Sequence, residues 1–203
     1  LVLLPGTLCD GRVFAPVLRR LDRRGHVLPL AGADTAEALA QLILAAAPER
    51  FSLCGFSLGA IIALEIIAQA PERVERLALI GCNPGVPAPD VALARAALPQ
   101  DTFLAQETGP HRALLAEMAR DTAPEVFSQQ TAITLSRRNS RARLSQIAVP
   151  TLALCGGTDR VCPPDLSRDI AAAVPDAHLA IIDGAGHYVT LERPEAVATE
   201  LRA

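Results

Sequence analysis

Aromatic side chains are rare in this chain, which has five Phe, one Tyr and no Trp among 203 residues. Proteins that stack bases or sugar rings do so on exposed aromatic side chains, so the composition argues against such a platform. Neither sign of charge dominates, because the chain has 19 basic and 22 acidic residues and a formal net charge of −3. This balance provides no electrostatic basis for binding nucleic acid or an anionic membrane surface.

Long hydrophobic runs and paired cysteines are also missing. No apolar run approaches the roughly 20 residues that a membrane-spanning helix needs, and no basic segment followed by an apolar one indicates a secretion signal. The cysteines are odd in number and form no CxxC pair, which indicates reduced thiols of a cytoplasmic protein. They are Cys9, Cys54, Cys82, Cys155 and Cys162. No set of His, Cys and carboxylate residues has the spacing of a zinc site.

Short apolar runs and helix patterns alternate along most of the chain. Runs typical of buried strands begin at residues 1, 26, 51, 77, 151 and 179. Helix patterns cover residues 12–24, 35–47, 58–70, 163–174 and 194–203. Asp34 or Thr35 is placed to cap the second helix. Apolar strands that alternate with helices predict an α/β fold with a mostly parallel sheet and helices on both of its faces.

The alternation breaks in the middle of the chain, where helix patterns occur without a convincing strand. These patterns cover residues 91–98, 111–121 and 124–138. We therefore predict a sheet-forming core of residues 1–83 and 147–203. Residues 84–146 are predicted to form a helical insertion between two strands of that core.

One serine stands between two glycines where a predicted strand meets a predicted helix, in Gly55-Phe56-Ser57-Leu58-Gly59. This is the G-x-S-x-G pattern of a nucleophile elbow. A serine on so sharp a turn leaves no room for side chains two residues away, and the following helix directs its N-terminal N–H groups at the reacting centre. Ser57 is therefore the candidate nucleophile, and the N–H of Leu58 is a candidate donor to a developing oxyanion. An ordinary tight turn is the alternative interpretation.

A serine nucleophile needs a base and an acid that orients the base. Of the four histidines, only His187 follows the C-terminal end of a predicted strand, which is the edge where parallel α/β sheets carry their sites. The acid should leave a neighbouring strand at the same edge, and Asp159 does so. Asp183, at the end of the last strand, is expected instead to hold the histidine loop.

The chain order Ser57, Asp159, His187 resembles that of the α/β-hydrolases. The likeness extends over nearly the whole chain and rests on the first turn LLPGTLCD, the elbow GFSLG, the segment APERVERLALIG, the acid strand VPTLALCGGTDRVCPP and the loop GAGHYVTLERPE. Together these motifs resemble a single-domain serine esterase with a short helical cap. The resemblance implies that the three residues form a catalytic triad, that the insertion is the cap, and that no metal or organic cofactor is required.

The resemblance also extends to an oxyanion hole and a pocket. Leu4-Pro5-Gly6-Thr7-Leu8 resembles the family's first oxyanion turn, although Pro5 stands where the family usually has histidine. The N–H of Thr7 is then the second oxyanion donor, with that of Leu8 as the fallback. The cap is expected to roof a pocket for a small or medium apolar group, although simple cap packing is the alternative for each lining residue. The candidate lining residues are Leu8, Phe56, Phe103, Leu104, Leu115, Met118 and Phe127.

The expected activity is hydrolysis of a small-molecule ester, thioester or lactone through an acyl-enzyme on Ser57. The same triad also serves C–C hydrolases and cofactor-free perhydrolases. A hydrolase-like protein that only binds a small ligand is the alternative from another class, because a fold alone does not define a function. We predict a cytoplasmic monomer or homodimer with no nucleic-acid or membrane partner.

Overall fold

The computed structural model describes residues 1–21, 23–86 and 109–202. The strands of these residues form one parallel sheet in the order β2-β1-β3-β4-β5-β6. The strands are β1 (Val2–Leu4), β2 (His26–Val27), β3 (Phe51–Phe56), β4 (Val74–Ile80), β5 (Thr151–Gly156) and β6 (Ala177–Ile182). This arrangement confirms the predicted α/β fold with a parallel sheet.

Helices cover both faces of the sheet. They are α1 (Ala15–Leu21), α2 (Ala36–Ala46), α3 (Leu58–Gln69), α4 (Arg112–Asp121), α5 (Pro124–Ser136), α6 (Pro164–Ala173), α7 (Val189–Glu192) and α8 (Pro194–Glu200). Successive strand residues point to opposite faces, so Leu53 packs with α2, α3 and α6, whereas Cys54 packs with α1 and α8. In the described ranges, none of these helices combines the length and apolar character needed to cross a membrane.

Two predicted elements are shorter in the structure. The run that begins at His26 pairs with β1 as far as Val27, and the N–H of Leu28 adds one more hydrogen bond to the carbonyl oxygen of Leu3 at 3.0 Å. The predicted helix over residues 12–24 divides into a 3₁₀ turn, Gly11–Val13, and α1. Pro16 lies at the start of α1, where its missing N–H leaves no helical hydrogen bond broken.

The predicted insertion is described only in its second half. Helices α4 and α5 form there, and the predicted helix over residues 91–98 lies outside the described residues. Leu115 of α4 and Ile133 of α5 are buried in the two different hydrophobic clusters of the core. The division of the chain at residues 84 and 146 stays a prediction.

The turn after α2 is held by a single arginine. The Arg73 guanidinium donates hydrogen bonds of 2.6–3.1 Å to carbonyl oxygens of four residues at the end of α2 and in the following turn. It also lies 5.8 Å from the centroid of the Phe51 ring. The accepting residues are Leu44, Ala47, Pro48 and Glu49.

We expect Arg73→Ala to lower the free energy of unfolding by about 2–3 kcal/mol, because several carbonyl oxygens lose a charged donor at once. Urea denaturation followed by circular dichroism measures this change. Arg50→Ala is the matched control, since Arg50 and Glu75 form only an exposed ion pair at 3.6 Å, worth less than about 1 kcal/mol. Equal losses for the two variants would contradict the interpretation.

Candidate active site

Ser57 occupies a strained turn between β3 and α3. Its backbone has φ 53° and ψ −113°, a region that non-glycine residues rarely adopt. The glycines on either side have no room for a side chain. A Cβ on Gly55 would lie 2.4 Å from the carbonyl oxygen of Gly59, and a Cβ on Gly59 would lie 2.0 Å from that of Leu4. The backbone segments therefore meet closely enough to present the serine side chain at the edge of the sheet.

A continuous line of hydrogen bonds joins Ser57, His187 and Asp159. The Nε2 atom of His187 lies 3.0 Å from Ser57 Oγ, and its Nδ1 atom lies 2.8 Å from Asp159 Oδ2. Asp159 is 3% exposed, and Ser57 is half-buried. All three residues follow the C-terminal ends of strands in the parallel sheet. The structure thus brings together the serine, base and acid that the sequence singles out.

The second oxygen of Asp159 is also occupied. Its Oδ1 atom accepts hydrogen bonds from the backbone N–H groups of Val161 and Cys162, each at 2.8 Å. Each carboxylate oxygen of Asp159 therefore has its own set of donors. This arrangement fixes the plane of the carboxylate and directs Oδ2 at the imidazole ring.

The loop that carries His187 is held by residues that sequence reasoning missed. Glu192 Oε2 accepts a hydrogen bond from the N–H of Gly186 at 2.9 Å. From the sequence, Asp183 is expected to hold this loop, but Asp183 is exposed. A Cβ on Gly156 would lie 2.2 Å from the carbonyl oxygen of Gly186, so only glycine lets the loop pass this close to β5. The Gly-Gly pair after Cys155 was a signal for this close approach.

Apolar side chains surround the imidazole and extend toward the inserted helices. The ring of Phe56 lies 5.1 Å from that of His187, centroid to centroid, and Tyr188 packs against both rings. Five of the predicted pocket residues belong to the same hydrophobic cluster or pack against it, namely Leu8, Phe56, Leu115, Met118 and Phe127. Phe103 and Leu104 lie outside the described residues. That these side chains line a substrate pocket stays a prediction.

The first turn of the chain packs against Ser57. A Cβ on Gly6 would lie 3.3 Å from Ser57 Cβ, and the N–H of Cys9 closes the turn by donating to the Gly6 carbonyl at 3.1 Å. The N–H of Leu8 donates to Gln130 Oε1 at 3.0 Å. Within the described ranges, by contrast, neither the Thr7 N–H nor the Leu58 N–H has a hydrogen-bond partner. For Leu58 this follows from its place at the start of α3.

The thiols near the site are poor nucleophiles. Burial, followed by the nearby Asp10 carboxylate, raises the pKa of Cys9 to about 12, and burial also raises the pKa of Cys54 to about 12. Thiols with so high a pKa stay protonated at pH 8, and the thiolate is the reactive form. We expect iodoacetamide at pH 8 to leave both cysteines unmodified in the folded protein. Peptide mass spectrometry tests this, and labelling at Cys9 or Cys54 in the folded protein would contradict it.

The fold and the site together define a class of protein. A parallel sheet carries a serine on a strained strand-to-helix turn, and the histidine and aspartate reach that serine from two later strands. Among the described residues, no group of three or more His, Cys, Asp or Glu side chains is placed to hold a metal ion. This arrangement is that of serine-dependent enzymes built on an α/β sheet.

The chain belongs to the alpha/beta hydrolase family, whose model matches residues 1–200. This confirms the predicted resemblance and the prediction of an α/β-hydrolase enzyme. The chain is 27% identical over 235 residues to a pimeloyl-(acyl-carrier protein) methyl ester esterase of Aliivibrio salmonicida, covering 99% of this chain and 90% of that protein. It is 31% identical over 236 residues to an esterase of the same name from Xanthomonas campestris, covering 99% and 92%.

Solved structures share the fold. The enol-lactonase from Burkholderia xenovorans LB400 superimposes with a TM-score of 0.83 at 21% sequence identity, covering 99% of this chain and 89% of that chain. At this level of identity the similarity concerns the arrangement of strands and helices alone. The two esterases, rather than the enol-lactonase, bear on the chemistry.

Proposed function

We propose that this protein hydrolyses carboxylic esters through an acyl-enzyme on Ser57. The observation that carries the proposal is the line of hydrogen bonds from Asp159 through His187 to Ser57, at 2.8 and 3.0 Å. His187 Nε2 takes the proton from Ser57 Oγ as the oxygen attacks the ester carbonyl carbon. Asp159 holds the proton on Nδ1 and stabilises the imidazolium that forms.

The tetrahedral intermediate carries a negative oxygen that needs donors. The N–H groups of Leu58 and Thr7 are suited to this task, because neither has another partner within the described ranges and both residues adjoin the Ser57 turn. The N–H of Leu8, the fallback donor, already binds Gln130, which supports Thr7. His187 then returns its proton to the leaving alcohol, and a water molecule activated by the same histidine releases the acid.

The names of the relatives support a proposal about the class of ester. Those described above are named as methyl ester esterases of a pimeloyl group on a carrier protein. We propose by analogy that the alcohol part of the substrate is small, such as methanol, and that the acyl part is of small or medium length. Phe56, whose ring lies 5.1 Å from that of His187, belongs to an apolar cluster that also includes Leu115 and Met118, and this supports an apolar acyl chain.

The test is a rapid-mixing assay with p-nitrophenyl butyrate, followed by mass spectrometry of the quenched protein. We expect a burst of one p-nitrophenolate per active site and an increase in mass that maps to Ser57. Ser57→Ala should show neither. Methyl esters of increasing acyl length then define the chain length with the highest kcat/KM. If Ser57→Ala hydrolysed the ester at the wild-type rate, without a burst, the result would contradict the proposal.

A further inference from the structure

Gln130 of helix α5 connects the inserted helices to the turn beside the nucleophile. Its side chain is 3% exposed. Its Oε1 atom accepts the N–H of Leu8 at 3.0 Å, and its Nε2 atom donates to the carbonyl oxygen of Leu30 at 3.1 Å. Both hydrogen bonds are buried, and they join residues more than 90 positions apart in the chain. One glutamine thereby ties α5 to the loops that follow β1 and β2.

Leu8 has an unusual backbone conformation. Its φ is +59°, and in the described ranges only Ser57 shares a positive φ among residues other than glycine. Leu8 is the third residue of the four-residue turn from Gly6 to Cys9. Positive φ at the third residue is characteristic of a type II β-turn, in which the central peptide is reversed relative to a type I turn. Glycine usually occupies that position.

The hydrogen bond to Gln130 opposes relaxation of this turn. Relaxation to a type I turn, the commonest type, would give Leu8 a negative φ and would reverse the Thr7–Leu8 peptide. The Leu8 N–H would then point away from Gln130 Oε1, and two buried polar groups would lose their partners, which is costly. The turn therefore keeps its strained form while the glutamine accepts from Leu8.

We infer that Gln130 is a positioning residue for the oxyanion hole. The turn that it holds includes Thr7, and the turn lies against the nucleophile, since a Cβ on Gly6 would come within 3.3 Å of Ser57 Cβ. Fixing the Thr7–Leu8 peptide fixes the place of the neighbouring Thr7 N–H. The inference rests on the proposed ester hydrolysis. It also means that the helical insertion contributes to transition-state stabilisation through a residue that need not touch the substrate.

The neighbouring Gln129 provides a matched control. Its Oε1 atom accepts the N–H of Gly32 at 2.9 Å, near the surface. It is therefore also a glutamine of α5 that binds a backbone N–H of the core, but its partner, Gly32, belongs to the loop after β2 and not to the first turn. Gln129→Met removes one contact between insertion and core without changing the contact to Leu8.

The experiment compares Gln130→Met, Gln130→Asn and Gln129→Met with the wild type. Methionine has nearly the volume of glutamine but no comparable acceptor, and asparagine is too short to reach Leu8. The measurements are kcat and KM for p-nitrophenyl butyrate, and the inhibition constant of an aliphatic trifluoromethyl ketone, whose adduct with Ser57 carries an oxyanion. Thermal denaturation establishes that each variant is folded at the assay temperature.

We expect both Gln130 variants to lower kcat about 10- to 100-fold, somewhat less than complete loss of a donor. KM should change less than twofold, and the inhibition constant should rise by a factor similar to the loss in kcat. Gln129→Met should stay within twofold of the wild type in all three quantities. If Gln130→Met does not fold, Gln130→Asn carries the same expectation.

Two results would overturn the inference while leaving the proposed function intact. One is a folded Gln130 variant with wild-type kcat and inhibition constant. The other is an equal loss of kcat in Gln129→Met, which would indicate a general effect of loosening the insertion. A wild-type protein without a burst or turnover would instead refute the proposed function, and the inference with it.

Discussion

Asp159→Asn is expected to lower kcat for ester hydrolysis by about 10⁴-fold, with little change in fold. The reason lies in the donors around the carboxylate. Val161 N–H and Cys162 N–H both donate to Oδ1 at 2.8 Å, whereas Oδ2 faces His187 Nδ1. An asparagine side chain has one carbonyl oxygen and one amide NH₂, so its carbonyl oxygen must take the place of Oδ1 to satisfy the two backbone donors.

The amide NH₂ of the variant then faces His187 Nδ1. Because an NH₂ group can only donate, Nδ1 must accept, and the ring proton moves to Nε2. An Nε2 that already carries a proton cannot take the proton of Ser57, so the serine loses its base. The two backbone N–H groups that fix the native carboxylate therefore also fix the wrong orientation of its amide analogue.

Steady-state kinetics with p-nitrophenyl butyrate measure this effect, and near-ultraviolet circular dichroism reports on the fold. Asp183→Asn is the control, because Asp183 is an exposed aspartate at the end of β6, close in sequence to His187. We expect that variant to stay within about twofold of the wild-type kcat, as surface changes usually do. An Asp159→Asn variant that keeps a tenth or more of wild-type kcat would exclude this role for Asp159.

Gly59→Ala is expected to have the largest effect on stability, a loss of more than about 3 kcal/mol or failure to fold. The added Cβ would lie 2.0 Å from the carbonyl oxygen of Leu4 and 2.6 Å from that of Pro5. Both are backbone atoms where β1 ends, and β1 is a buried strand with neighbours on both sides. To make room, α3 must move away from β1, which disturbs the turn that presents Ser57.

Urea denaturation of Gly59→Ala and Gly11→Ala makes the comparison. The three heavy atoms nearest to a Cβ on Gly11 belong to the side chain of Val27 and lie 3.6–3.9 Å away, which is an ordinary contact distance. We expect Gly11→Ala to change the free energy of unfolding by less than about 1 kcal/mol. A Gly59→Ala variant as stable as Gly11→Ala would show that the elbow tolerates a side chain after all.

The elements that sequence reasoning predicts well are those with a local signature. A few neighbouring residues are enough to recognise the apolar runs of β3 and β5 and the helix pattern of α3. The elbow adds two glycines around Ser57. His187 and Asp159 follow by elimination, since few histidines and carboxylates come directly after predicted strands. The structure brings these three side chains into contact, whereas their roles in catalysis stay a prediction.

Features that depend on contacts between different parts of the chain are harder to predict. Gln130 meets Leu8 across 122 positions, and nothing in its own helix pattern distinguishes it from Gln129. Glu192 holds the histidine loop from a short helix after that loop, where an acidic residue also suits a solvated surface.

The parallel sheet has a consequence for how the chain folds. Parallel neighbours cannot be joined by tight hairpins, so every pairing in the described sheet closes a long loop. The hydrogen bond between Ser57 and His187 spans 130 residues, and such high contact order slows folding. On the ribosome, the segment with the serine emerges well before the segments with its aspartate and histidine. A nascent chain therefore carries Ser57 before His187 and Asp159 are present, and the three side chains come together only when β5 and β6 join the sheet.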